Sequence, residues 1–138
     1  MQTKPQSFAD LERVAEKYGE TNDCTVKAIA AACGVSYGKA HRTLAKPGRQ
    51  RGRGATMAQL NQAISIATDG ACANGWVADT FKHESVGLTL NRFRKAHPTG
   101  SYIVCSKGHA MAVVEGELID WTAETAGRRK VTSVWRIK

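Results

Sequence analysis

The chain lacks the features that mark membrane, secreted and metal-binding proteins. Its apolar runs fall well short of the roughly 18 residues that span a bilayer, and no apolar segment follows Met1–Gln6, as a secretion signal would require. Its four cysteines, Cys24, Cys33, Cys72 and Cys105, form no Cys-x-x-Cys pair, and its four histidines add no zinc-ligand spacing. We therefore expect a cytoplasmic protein without a disulfide framework, metal or organic cofactor.

Acidic residues are also scarce, with 12 Asp and Glu against 20 Lys and Arg. The positive charge is concentrated in three segments, Lys46–Gly54, Arg92–Lys95 and Arg128–Lys130. Such clusters favour nucleic acid or an acidic partner through long-range attraction, although solvated loops of basic proteins carry them too. The charge alone therefore leaves these interpretations open.

What remains is the composition of a globular protein, 42% apolar and 23% charged over 138 residues. We predict one domain over residues 1–138, with residues 1–20 as a helical extension at the N-terminus. Apolar periodicity predicts helices in the first half of the chain, over Ser7–Tyr18, Cys24–Cys33, Tyr37–Ala45 and Met57–Ala67. Ser7, Asn22-Asp23, Ser36 and Thr56 are the expected N-caps, and Gly34 closes the second helix.

The second half of the chain is dominated by strand patterns. From Thr68 to Gly87 the pattern does not decide between a short strand and a packed loop. Further along we predict a helix over Leu88–Ala96, strands over Ser101–Ser106 and Val131–Ile137, and between them a hairpin over His109–Trp121 that turns at Glu115-Gly116-Glu117. Helices first and antiparallel strands last predict an α+β domain.

Three residues of these elements suggest a catalytic site. His109 begins the first strand of the hairpin and Asp120 ends the second, so we expect their side chains to meet at its open end. An imidazole held by a carboxylate is the base half of a catalytic triad. Cys24 supplies a nucleophile, because a helix N-terminus favours the thiolate. Taken singly, each residue has a structural explanation, and only their combination points to catalysis.

The segments that carry these residues resemble the papain-like cysteine peptidases. Asn22-Asp23-Cys24 at a helix start, the strand Ser101–Ser106 and the segment Gly108–Asp120 are similar to compact bacterial and phage members, close in plan to bacteriocin-processing peptidases. The resemblance spans about Asn22 to Ile137. It implies helices packed on an antiparallel sheet, and cleavage of a peptide or isopeptide bond through a thioester.

Carried over by position, the resemblance makes Cys24 the nucleophile, His109 the general base and Asp120 the orienting residue. The family usually stabilises the oxyanion with the Cys backbone N–H and an upstream Gln, but this chain has no Gln between Gln6 and Cys24. Asn22 is the nearest amide donor, and it is our candidate for the side chain that stabilises the oxyanion. Because the upstream Gln is missing, a second interpretation stays open: the protein is a phage-encoded interaction module with impaired catalysis that acts in the host cytoplasm.

A helix-turn-helix over about residues 26–45 is the rival interpretation. Ala30 precedes the turn residue Gly34 by four positions, where two such helices cross. In this interpretation the residues facing nucleic acid are Ser36, Tyr37, Lys39 and Arg42 in a groove and Arg49, Arg51 and Arg53 on phosphates. Against it, Ala40 and Thr43 stand where larger apolar residues usually hold the second helix. The two functions use different surfaces and are compatible on one domain.

Overall fold

The computed structural model describes residues 7–20, 22–50, 52–69, 87–106, 109–119 and 128–137. Within these ranges lie five helices, α1 (Phe8–Tyr18), α2 (Cys24–Cys33), α3 (Tyr37–Ala45), α4 (Met57–Ala67) and α5 (Leu90–Ala96). They also contain four strands, β1 (Ser101–Ser106), β2 (His109–Val114), β3 (Glu117–Ile119) and β4 (Ser133–Arg136). The predicted α+β class, with N-terminal helices and a C-terminal antiparallel sheet, is confirmed.

The N-terminal helices begin and end as their capping residues predict. The Ser7 hydroxyl accepts a bond from the first turn of α1, and Thr56 forms a capping box with Gln59 at the start of α4. Gly34 closes α2 with φ 67°, a conformation that glycine adopts without steric cost. Asp23 is the exception, because it precedes α2 but its carboxylate makes no capping bond.

The four strands form one antiparallel sheet in the order β3-β2-β1-β4. The β2–β3 hairpin turns at Glu115 and Gly116, whose φ angles of 51° and 78° match the tight turn that follows the twist of its strands. Two predicted elements are shorter than expected. Helix α5 begins at Leu90 because Thr89 caps it, and β4 begins at Ser133.

Both faces of the sheet are buried. One face shares a core with α1–α4 that includes Trp135 of the edge strand β4, and the other packs against α5 through Leu90 and Phe93. Helix α1, expected as an extension, contributes Leu11 and Ala15 to the first of these cores. None of the described helices has the length and apolar character to cross a membrane.

Helix α2 lies directly on β2 because both surfaces carry small side chains. Ala28 and Ala32 are among the buried alanines of the helix, and Ala110 and Ala112 lie on the facing side of the strand. Since protein interiors are close-packed, small side chains on both elements bring their backbones together. This packing places the start of α2, and with it Cys24, beside the start of β2.

Candidate active site

A cleft of about 450 Å³ opens where α1, the start of α2 and the start of β2 meet. It is lined by Phe8, Glu12, Asn22, Asp23, Cys24, Lys27, Ala28, Gly54, His109, Ala110 and Ile119. The structure thus places Cys24, His109 and Asn22 in one cleft. Asp120 lies outside the described residues, so its role stays a prediction.

The thiol of Cys24 is hydrogen-bonded to the imidazole of His109. Burial by itself raises the pKa of this thiol, but the bond with His109 and the backbone N–H of Ala110 oppose it. A further backbone N–H, that of Thr25, also points at the sulfur, and the net pKa of Cys24 lies below its ordinary value. The site therefore favours a thiolate although Cys24 is half-buried.

The first turn of α2 keeps its backbone donors uncapped. The Asp23 carboxylate is buried and accepts a bond from the Tyr37 hydroxyl at 2.7 Å, while its other oxygen lies 3.1 Å from Lys27 Nζ. Because both carboxylate oxygens make these contacts, the Asp23 side chain does not bond to the N–H groups at the helix start. Those groups and the helix dipole remain directed at the cleft, where a thiolate or an oxyanion is stabilised.

Lys27 joins the α1 wall of the cleft to α2. Its ammonium pairs with Glu12 and with Asp23, and it lies 5.0 Å from the centroid of the Phe8 ring. Burial lowers the pKa of Lys27, but its bonds to the two carboxylates outweigh burial, and the net pKa is raised. The charged Lys27 side chain therefore links α1 to the start of α2 at the wall of the cleft.

Asn22 lies at the exposed rim of the cleft in a left-handed conformation, with φ 51°. Its side-chain Nδ2 donates to the carbonyl of Gly52 at 3.1 Å. Its own carbonyl lies 3.4 Å from Arg49 Nη2. The amide expected to stabilise an oxyanion is thus held at the cleft by the loop that follows α3.

Arg49, expected on nucleic-acid phosphates, is instead buried, and that prediction is wrong for this residue. Its guanidinium donates to the Glu20 carboxylate at 2.8 Å, and the two side chains are 1% and 0% exposed. Glu20 also accepts the backbone N–H of Gly52 at 2.8 Å and pairs with His41. Burial opposes its charge, but the bonds from Arg49 and Gly52 lower the pKa of Glu20 to about 2. Sequence patterns missed this cluster, because its members lie far apart in the chain.

The surface expected for a helix-turn-helix is only partly presented. Ser36, Lys39 and Arg42 of the α2–α3 unit are exposed, as is Arg53 in the following loop. Tyr37 does not face outward as predicted, because its side chain is 1% exposed and bonded to Asp23. Arg51 lies outside the described residues.

Comparison of the chain with protein-family models, with curated proteins and with solved structures finds no match. Within the described ranges, no three His, Cys, Asp or Glu side chains lie where they could hold a metal ion. The Cys24–His109 pair and the cleft around it are therefore the features of the described residues that suggest a function.

Proposed function

We propose that the protein is a papain-like thiol hydrolase that cleaves a peptide or isopeptide bond through Cys24. The observation that carries this proposal is the Cys24–His109 pair at a helix N-terminus, where the pKa of a half-buried thiol is lowered. Cys105 shows what burial does without such partners: burial, with the nearby Cys24, raises its pKa to about 12. Cys24 therefore has the environment of a nucleophile.

The reaction follows from the two groups. The Cys24 thiolate attacks the carbonyl carbon, and the His109 imidazolium gives its proton to the departing amine as the C–N bond breaks. This leaves a thioester on Cys24. Neutral His109 then takes a proton from water, the hydroxide attacks the thioester, and the acid product leaves as the thiolate is restored.

The uncapped backbone N–H of Cys24 is the first donor to the oxyanion in this proposal, and the Asn22 amide is the second. The proposal keeps Asp120 as the residue that orients His109, which remains a prediction from the sequence. A thiolate nucleophile works in a reducing compartment, which agrees with the cytoplasmic location we propose.

The test is the rate of alkylation by iodoacetamide as a function of pH, with the modified residue identified by mass spectrometry. We expect Cys24 to react with an apparent pKa below the ordinary value of about 8.5. The His109→Ala variant should shift that pKa upward, because the thiolate loses its hydrogen-bonded partner. The Cys24→Ala variant should lose the fast-reacting site.

Cys33 provides the matched control, because it is half-buried like Cys24 but lies at the opposite end of α2. The helix dipole disfavours a thiolate at that end. The Cys33→Ala variant should keep the fast reaction. If Cys24 reacts no faster than Cys33 at neutral pH, the enzyme proposal is wrong.

A further inference from the structure

The stretch from Cys24 to Thr68 contains no Asp or Glu, but it contains seven Lys and Arg. Two of these cations are neutralised inside the protein. Lys27 pairs with Glu12 and Asp23, and Arg49 is buried against Glu20. Of the other five cations, Arg51 lies outside the residues that the structure describes.

Four of the remaining cations, Lys39, Arg42, Lys46 and Arg53, are exposed, and we call them the basic ridge. The first three follow one another at intervals of three and four residues along α3 and its C-cap. This spacing places them on one helix face over about 10 Å. None of the four pairs with a carboxylate in the part of the chain that the structure describes.

The segment that carries the ridge is tied to the cleft at both of its ends. At its start, Tyr37 donates to the cleft residue Asp23. Near its end, Gly52 accepts from the cleft residue Asn22, and Gly54 itself lines the cleft. Between these ends, Arg49 is anchored on Glu20. The segment that carries the ridge is therefore fixed to the cleft near both of its ends.

We infer that the basic ridge binds an acidic segment of a polypeptide substrate and directs the chain that follows it to Cys24. This inference rests on the proposed thiol hydrolase and names its substrate class. Nucleic acid would also match the charge of the ridge, but the thiolate requires an acyl carbon. A polypeptide supplies both the carboxylates and the acyl carbon.

The test compares two peptide electrophiles, acetyl-hexaglutamyl-alanine chloromethyl ketone and its hexaglutamine analogue. In each, the Cys24 thiolate forms an S–C bond and chloride leaves, so labelling does not require turnover. At low salt we expect the glutamate probe to label Cys24 about tenfold faster than the glutamine probe, because electrostatic steering raises association rates by about this factor or more. In 0.5 M NaCl this rate ratio should fall, because salt screens the attraction. The triple variant Lys39→Gln/Arg42→Gln/Lys46→Gln should bring the ratio of the two rates close to one.

The control removes the same charge elsewhere. Arg92, Lys95 and Lys130 are exposed cations in and beside α5, on the opposite side of the sheet from α1–α4. Their triple replacement by Gln should leave the probe ratio unchanged. If the probe ratio falls as far in this variant as in the ridge variant, the net charge of the protein alone attracts the glutamate probe, and the inference is overturned.

The remaining outcomes separate the two proposals. If iodoacetamide shows a lowered pKa for Cys24 but the two peptide probes react at equal rates, the thiol hydrolase stands and the acidic-substrate inference falls. If the ridge variant loses binding of a fluorescent duplex DNA while the probe ratio is unchanged, the ridge is a nucleic-acid surface and the inference is also overturned. Ordinary reactivity of Cys24 overturns both.

Discussion

The hydroxyl of Tyr37 donates a hydrogen bond to Oδ2 of Asp23 at 2.7 Å, and both side chains are buried. The bond joins the first residue of α3 to the residue immediately before Cys24. Together with Lys27, it engages the carboxylate that would otherwise cap α2. The helix N-terminus thus keeps its backbone donors for the thiolate.

Replacing Tyr37 by Phe should therefore affect both stability and reactivity. Asp23 loses a buried hydrogen bond, which should lower the free energy of unfolding by about 1–3 kcal/mol in a urea titration. Without the Tyr37 hydroxyl, the negative charge of Asp23 is less well compensated beside the α2 N-terminus. This charge disfavours a thiolate at Cys24, so the apparent pKa of Cys24 alkylation should rise. Tyr18→Phe is the control, because no hydrogen bond of the Tyr18 hydroxyl is seen among the described residues. A Tyr37→Phe protein with unchanged stability and thiol pKa would contradict this role.

The Glu20 cluster should make stability depend on acid pH. Burial opposes the charge of Glu20, but bonds from Arg49, Gly52 and His41 hold its folded-state pKa at about 2, below the usual 4.5. A lowered folded-state pKa gives stability that is complete above pH 4.5 and is lost as the pH falls toward 2. Urea unfolding between pH 7 and pH 2 should show this loss.

The Glu20→Gln variant separates this cluster from other acid effects. Removing the charge leaves the Arg49 guanidinium buried without its partner, which should cost about 3–5 kcal/mol at pH 7. The variant should also lose part of the stability change between pH 4.5 and pH 2. Glu16→Gln, at an exposed position on α1, should change neither quantity. Similar profiles for Glu20→Gln and the natural chain would show that the cluster does not stabilise the fold.

The elements that the sequence predicted well are those whose signals are local. Ser7 caps α1, Gly34 closes α2, and Ser101–Ser106 forms a strand over its whole predicted length. For the two helix ends, the deciding interaction lies within a few residues of the signal. For the strand, its continuous run of buried side chains is itself the local signal, although one of its partners, β4, is distant in the chain. The start of β4 was predicted less well, because Val131 is buried like a strand residue but lies before the paired segment.

The site shows where local reasoning fails. Cys24 and His109 were proposed from their positions at a helix start and a hairpin end and from the resemblance of short motifs to a known arrangement, since no periodicity relates two residues so far apart. Arg49 was misassigned because a run of arginines and glycines is normally solvated, and its partner Glu20 lies 29 residues away. Tyr37 was misassigned because a helix-start tyrosine has no local signal for burial against Asp23.

Cys105 should be inert in the folded protein. Its pKa is raised to about 12, mainly by burial and in addition by the neighbouring Cys24. Thiols react as thiolates, so iodoacetamide at pH 8 should not label Cys105 in the native Cys24→Ala variant. The same variant unfolded in urea should be labelled there, which controls for the detection of the peptide. Labelling of native Cys105 would mean that its strand opens to solvent.

Thr25, beside the nucleophile, has a buried hydroxyl with no hydrogen-bond partner among the described residues. A buried polar group without a partner costs about 1–3 kcal/mol, so Thr25→Val, which keeps the shape, should raise the free energy of unfolding by about 1 kcal/mol. Thr43 is the matched control, because its equally buried hydroxyl donates to the carbonyl of Lys39 at 2.7 Å. Thr43→Val should therefore destabilise the fold by about 1 kcal/mol. Urea titration of both variants measures the difference, and a destabilised Thr25→Val protein would mean that this hydroxyl does have a partner.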